Sequence, residues 1–210
     1  MQNPVLIFGA GTLGKISLDI FNRNNVLVYG FLDDQKEIHN TEIGEIMVLG
    51  DTDDDGFLKI IGNKTEAFVA IGNTKIKKKI VEMLNERRQV MPVNAIHDRS
   101  MVSEDAVIGH GNLIMANATV NPFAKVGNHT VIHSGAVIDA DAQVEDFVTI
   151  GTGAMINTGA ILEEGAFIGS GAVVVGGIKI GKNARVGAGS VVIADVAANS
   201  TVFGNPAQKV

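Results

Sequence analysis

Between positions 102 and 192 every sixth residue is a branched aliphatic, sixteen in succession, beginning Val102, Ile108, Ile114 and ending Ile180, Val186, Val192, with no insertion to break the register. A fixed short period of this kind marks a solenoid, whose repeats bury their apolar faces only by stacking on one another. Two positions before the aliphatic the residue is usually small, as at Ala118, Ala124, Ala136, Ala142 and Ser190. Glycines stand one position after it at Gly109, Gly127, Gly151, Gly169, Gly181 and Gly187. Small side chains allow tight corners between short strands, and these glycines are expected to supply the backbone bends. Three six-residue sides make one triangular coil, so residues eighteen apart share a column. The pattern predicts a left-handed parallel β-helix of hexapeptide repeats, an exception to right-handed crossover. Residues 196–210 are expected to turn away and cap its open end.

The first half has a different rhythm. A buried strand is predicted over residues 4–8, followed by Gly9-Ala10-Gly11-Thr12-Leu13-Gly14 and a helix to about Arg23. Strand, Gly-x-Gly-x-x-Gly and helix in that order is the dinucleotide-type arrangement, in which glycines let backbone amides approach a phosphate at a helix N-terminus. A second strand is predicted over 26–31, with Asp33 and Asp34 following where ribose or base contacts are made in such folds. A third, over 67–71, runs into Gly72-Asn73 and a helix over 75–88. All three strands point their carboxyl ends at one crevice, the usual ligand position in an open α/β sheet. This half is too short for a two-lobed nicotinamide domain, so a mononucleotide or nucleotide sugar fits its size better. The division expected is 1–93 for a Rossmann-like domain and 94–210 for the β-helix, joined near Pro92.

Composition narrows the function classes. A net charge of -6 and a pI of about 5.3 argue against nucleic acid, which needs a basic face. Lysines between Lys75 and Lys79 could still hold a small anion. With no cysteine there is no disulfide, thiolate metal site or cysteine nucleophile, and no metal is expected. No apolar run approaches the length of a membrane span or a signal-peptide core, so a cytoplasmic protein without a membrane partner is the expectation.

The glycine loop, Phe31-Leu32-Asp33-Asp34, Ala70-Ile71-Gly72-Asn73, Ala95-Ile96-His97, the hexads and Gly204-Asn205-Pro206-Ala207 together span nearly the whole chain. In this they resemble the bacterial sugar acyltransferase family that includes sialic acid O-acetyltransferases and UDP-4-amino-sugar N-acetyltransferases. The resemblance implies a homotrimer with acetyl-CoA as co-substrate in grooves between neighbouring β-helices. It also implies a nucleotide sugar of surface-glycan synthesis held at Gly9, Ala10, Gly11, Asp33, Asp34 and Gly72. In the family a histidine takes the acceptor's proton, a task suited to imidazole because its pKa lies near neutrality.

Here the chain departs from the pattern. The family's histidine segment, Val-[Asp/Glu]-His-[Asp/Glu], is matched by Ile138-Asp139-Ala140-Asp141, which puts alanine in the base's place. A second family histidine, near acetyl-CoA, is matched by Thr149. The replacement base proposed from the sequence is His133, with Asp141 as its acidic partner; Thr149 and Thr158 are the candidate cofactor contacts. Each has a plainer reading, His133 as a corner residue bonded to backbone or water and Asp141 as a solvated carboxylate. His129 is expected to be solvated on a turn. The stacked corner residues Asn121, Asp139 and Asn157 form either a surface ladder or a ligand contact. Two functions stay open: an acetyl-CoA-dependent sugar acyltransferase working slowly without its usual base, and a catalytically silent nucleotide-sugar-binding or scaffold trimer.

Overall fold

The computed structural model describes residues 3–210. The chain forms two compact units that divide between His97 and Asp98, slightly downstream of the expected link.

The first unit is α/β. Its strands are β1 Val5–Phe8, β2 Val28–Leu32, β3 Glu42–Ile43, β4 Ile46–Gly50 and β5 Glu66–Val69; its helices are α1 Thr12–Arg23, α2 Asp55–Leu58 and α3 Thr74–Arg88. The sheet order is β3-β4-β2-β1-β5, parallel except for β3, which pairs antiparallel with β4. β1 is central and buried along its whole length, which explains its unbroken apolar run Val-Leu-Ile-Phe. The chain leaves β1 toward β2 on one side and returns to β5 on the other, so the order reverses at β1. That switch point is where open α/β sheets bind ligands. The pair β3 and β4 was not anticipated from sequence. Gly44, with φ +62°, lies in the tight turn that sets Glu42–Ile43 against Ile46 and Met47.

The second unit is a three-sided prism of parallel two-residue strands. One face stacks strands from Met101–Val102 to Val191–Val192, and a second stacks Val107–Ile108 to Lys179–Ile180. The third carries Leu113–Ile114, Val131–Ile132, Thr149–Ile150, Phe167–Ile168 and Arg185–Val186. Each strand pairs with the strands one coil before and after, as in Val120↔Ile138↔Ile156. The hexad aliphatics from Ile114 to Val192 are at most 3% exposed, and the alanines two positions before them are at 0% from Ala118 to Ala184. Full burial of such a side chain contributes about 1.5–3 kcal/mol. The prism is therefore an unbroken apolar column in which each coil depends on its neighbours.

Two expectations about this unit are corrected. The glycines after the aliphatics do not make the bends, because none has a positive φ. They are small because coils approach closely: a Cβ on Gly151 would lie 2.6 Å from the Ser170 backbone nitrogen, and one on Gly109 would lie 2.6 Å from the Gly127 carbonyl. The bends fall three positions before each aliphatic from Ile114 to Val192, at Asn117, Phe123, His129, Asp141, Phe147 and Asn183 and otherwise at glycines, all left-handed. The C-terminal residues also stay with the stack. Thr201–Gly204 adds in parallel to Arg185–Val186, and Ala207–Lys209 folds back on it antiparallel, covering the open edge.

Candidate functional site

A crevice of about 460 Å³ opens beyond the carboxyl ends of β1, β2, β4 and β5. Its lining includes Gly9, Gly11, Asp33, Asp34 and Gly72, five of the six residues assigned to the nucleotide sugar from sequence, together with Thr52 and Ile76. The sixth, Ala10, lies in the same loop; its N–H donates to Asp33 Oδ2 at 2.8 Å.

The glycines of the loop divide by cause. Gly9 has φ +103° and a Cβ there would sit 2.9 Å from the Ala70 carbonyl, while a Cβ on Gly14 would collide with the Gly9 carbonyl. Both are demanded by packing. Gly11 caps α1 with an ordinary φ of -74°, and a Cβ there would meet no protein atom within 4 Å. The fold does not require a glycine at this position, whereas a ligand lying on the first turn of α1 would. That turn has no side-chain cap and no acidic residue, and its residues Gly11, Thr12 and Leu13 line the crevice. The helix-capping task at α3 is performed by Asn73, whose Oδ1 accepts from Lys75 N at 3.0 Å and Ile76 N at 3.2 Å.

The two acids have different tasks. Both oxygens of Asp33 are engaged, Oδ2 by Ala10 N and Oδ1 by Gln35 N at 3.0 Å. His39 Nε2 bonds the Asp33 carbonyl at 2.7 Å, pinning the loop from behind. Asp34 is exposed, and its Oδ1 accepts twice from Thr52, from N at 2.9 Å and Oγ1 at 2.8 Å. The sequence reading missed Thr52, because nothing in its local pattern shows that β4 ends beside β2. Among the lysines considered as anion holders, Lys77 is instead buried against the sheet side of α3, and burial lowers its pKa to about 8.

On the prism the residues assigned to catalysis and cofactor fall into two groups. His133 is half-buried on the turn between Val131–Ile132 and Val137–Ile138, and its backbone N–H donates to Ile150 O at 2.9 Å, beside Thr149 on the next coil. Burial lowers its pKa, so the imidazole is neutral at pH 7. Ala140 and Asp141 occupy the following turn, with Thr158 one coil further on. There Asp139 Oδ2 accepts from Thr158 Oγ1 at 2.6 Å, and its Oδ1 accepts from Ala140 N at 2.9 Å and Asn121 Nδ2 at 3.1 Å. These bonds, Thr158 foremost, hold the Asp139 carboxyl below the usual range. Asp141 is exposed, and its backbone at φ 58° makes the bend. Within one chain the strand Val137–Ile138 separates His133 from Asp141. His129, expected in solvent, is 3% exposed and stacks on Phe147 with ring centroids 4.9 Å apart. The two rings occupy equivalent bends of successive coils, and that stacking draws the imidazole inward.

The fold and site define a two-part protein in which a nucleotide-type α/β unit is joined to a hexapeptide-repeat prism. The family model of the PglD N-terminal domain matches residues 4–84, and that of the bacterial transferase hexapeptide (six repeats) matches 105–140 and 159–194. No curated protein sequence matches the chain.

Solved structures match along the full length. A His-to-Ala variant of GDP-perosamine N-acetyltransferase from Caulobacter crescentus, in complex with CoA and GDP-perosamine, is 28% identical with a TM-score of 0.91, covering 99% of this chain and 96% of that one. The acetyltransferase domain of PglB from Neisseria gonorrhoeae FA1090, in complex with acetyl coenzyme A, is 25% identical with a TM-score of 0.90 and 100% of both chains covered. WeeI from Acinetobacter baumannii AYE is 25% identical with a TM-score of 0.86, covering 99% of both. Among the described residues no helix is long and apolar enough to cross a membrane.

Proposed function

We propose that this chain is an acetyl-CoA-dependent acyltransferase acting on the amino group of a nucleotide-linked sugar in surface-glycan synthesis. The observation that carries the reading is the full-length likeness to sugar N-acetyltransferases solved with CoA and GDP-perosamine or with acetyl-CoA. The crevice at the sheet's switch point is the proposed nucleotide end of the site, with Gly9, Ala10, Gly11, Asp33, Asp34 and Gly72 as its residues. Acetyl-CoA is placed along the prism, whose coils we read as left-handed, with Thr149 and Thr158 as its contacts. The working site lies in the cytoplasm.

A homotrimer belongs to the same proposal. The outward residues of one prism face are Met101, Thr119, Val137, Met155, Val173 and Val191, with Met101 73% and Met155 44% exposed. A face of this composition is suited to a second copy. Association would also bring the His133 and Thr149 group of one chain to the Ala140 and Thr158 group of its neighbour, which a single chain keeps on separate turns.

In the proposed reaction the sugar amine attacks the thioester carbonyl, forming an N–C bond while the C–S bond breaks. The amine's proton passes to neutral His133, and the CoA thiolate leaves to be protonated by water or by that imidazole. Asp139 is unsuited to serve as base, since its hydrogen bonds favour the charged form. We place Ala140 where the family has its histidine, so His133 stands in for that base; whatever help it fails to supply costs at most about 10²- to 10⁴-fold, while proximity remains. The His-to-Ala relative was solved holding both CoA and GDP-perosamine, so loss of one imidazole in that protein leaves the ligands in place.

Ala140 also favours a second reading, a trimer that binds a nucleotide sugar without transfer. Free CoA released from acetyl-CoA on adding an amino-sugar nucleotide, and its loss in His133→Ala, supports the enzyme. Retained sugar-nucleotide binding with no release across a panel of amino and hydroxy sugars supports the second reading.

A further inference from the structure

We propose that Thr52 is a positioning residue that turns Asp34 into the crevice's reader of nucleoside hydrogen-bond donors, while the neighbouring Asp33 serves the fold. The inference rests on the reading of this crevice as the nucleotide end of the site. Asp33 spends both oxygens on backbone amides of its own surroundings, Ala10 N at 2.8 Å and Gln35 N at 3.0 Å. A carboxylate so engaged braces the glycine loop, so that Asp33 and Ala10 belong to the nucleotide end as its framework. Asp34 differs. Its Oδ1 is bound by both the N–H and the hydroxyl of Thr52, a residue only 7% exposed at the end of β4. Two bonds to one oxygen fix the carboxylate, whose second oxygen takes part in neither, on an exposed side chain that lines the crevice. An ionised carboxylate is an acceptor only, so the ligand group it selects must be a donor. A phosphate is excluded; a ribose hydroxyl or a base N–H fits. A hydrogen bond to a charged group is among the stronger ones available, and holding its acceptor in place avoids the entropic cost of ordering it on binding.

The test is calorimetric titration of the full chain with GDP-perosamine and with a UDP-linked 4-amino sugar, for wild type, Thr52→Val, Thr52→Ser, Asp34→Asn and the double variant T52V/D34N, with thermal melts beside each. The expected result is that Thr52→Val and Asp34→Asn each weaken binding about 10-fold, as for loss of one charged hydrogen bond. Thr52→Ser, which keeps the hydroxyl, binds within about twofold of wild type. The double variant is no weaker than the weaker single, because the two residues act as one unit. A merely structural Thr52 would lower the melting temperature without this non-additivity. Should Thr52→Val prove unstable, Asp34→Asn and Thr52→Ser still decide the matter. Titrating UDP and 2′-deoxy-UDP separates the two donor sources: a loss on deoxygenation in wild type but not in Asp34→Asn assigns the ribose hydroxyl, and an equal response assigns the base. Tight binding by wild type with unchanged Thr52→Val, or with additive losses in the double variant, overturns the proposal and leaves the crevice reading standing. Failure of wild type to bind either sugar nucleotide overturns both.

Discussion

The Thr158 hydroxyl reaches back one coil of the prism and donates to Asp139 Oδ2 at 2.6 Å, beside the methyl group of Ala140. This corner is ordered, with a carboxylate held charged by Thr158, Ala140 N and Asn121. If the acceptor reaches this corner and His133 replaces the family's base only in part, Ala140→His should raise the rate of CoA release, by at most the roughly 10²- to 10⁴-fold that a positioned general base contributes. The check is a thiol assay under saturating acetyl-CoA with a sugar amine. An unchanged rate in a folded variant would mean that the acceptor does not reach this corner or that His133 replaces the base in full.

His133 gives a pH signature. Burial disfavours its charged form, so its pKa lies below the ordinary 6.5. As base it must be neutral, and the rate should therefore hold steady from pH 8 down to 6.5 and fall only below that. Stability follows the same sign: between the lowered folded pKa and 6.5 the unfolded chain binds more protons, so stability is lost as pH falls through that window. His133→Gln should remove the acidic limb of the rate profile and soften the acid sensitivity of the melting temperature. An acidic limb that survives in His133→Gln would assign it to another group.

Lys77 follows the same physics in a higher pH window. Its pKa of about 8 against 10.5 unfolded means that burying the charge costs stability below pH 8, a cost relieved as pH rises toward 10.5. Lys77→Met should therefore raise stability at pH 7, on the order of 1–4 kcal/mol as for other buried charges replaced by apolar groups. The gain should shrink at pH 10. Urea melts at the two pH values measure it, and a loss at pH 7 would show that the ammonium's own contacts outweigh its desolvation.

Two glycines should respond in opposite ways. Gly151→Ala brings a methyl to within 2.6 Å of the Ser170 backbone and should cost about 1–3 kcal/mol through strain between coils. Gly11→Ala meets no protein atom, so its melting temperature should stay close to wild type while affinity for the sugar nucleotide falls. Melts and titrations on both variants test the separation of structural from ligand-facing glycines. A destabilised Gly11→Ala with normal affinity would place the ligand elsewhere.

The parts of the fold visible in the sequence are those with a strict period or a local signature. The hexads fixed strand positions that recur as Val137–Ile138, Gln143–Val144 and Thr149–Ile150, because each side is six residues long and its aliphatic must point inward. The glycine loop and the two aspartates converge on one crevice because β1 and β2 are neighbours and parallel. What sequence obscured depends on contacts between distant segments. The bends of the prism are set by left-handed residues as unlike as Gly135, Phe147 and Asp141, so composition does not mark them. The small residues that composition does mark, such as Gly151, answer to the next coil. Thr52 could be connected with Asp34 only once β4 was known to lie beside β2. His129 reads as a polar turn residue until Phe147, eighteen positions on, is seen stacked against it.

The central claim is acyl transfer to a sugar amine, and it is tested most directly by incubating the purified chain with acetyl-CoA and GDP-perosamine or a UDP-linked 4-amino sugar while following free CoA and N-acetylated product. The account predicts CoA release that depends on the amino sugar, matches product mole for mole and is reduced in His133→Ala. Tight binding of the sugar nucleotide with no CoA released from any amino sugar would contradict it.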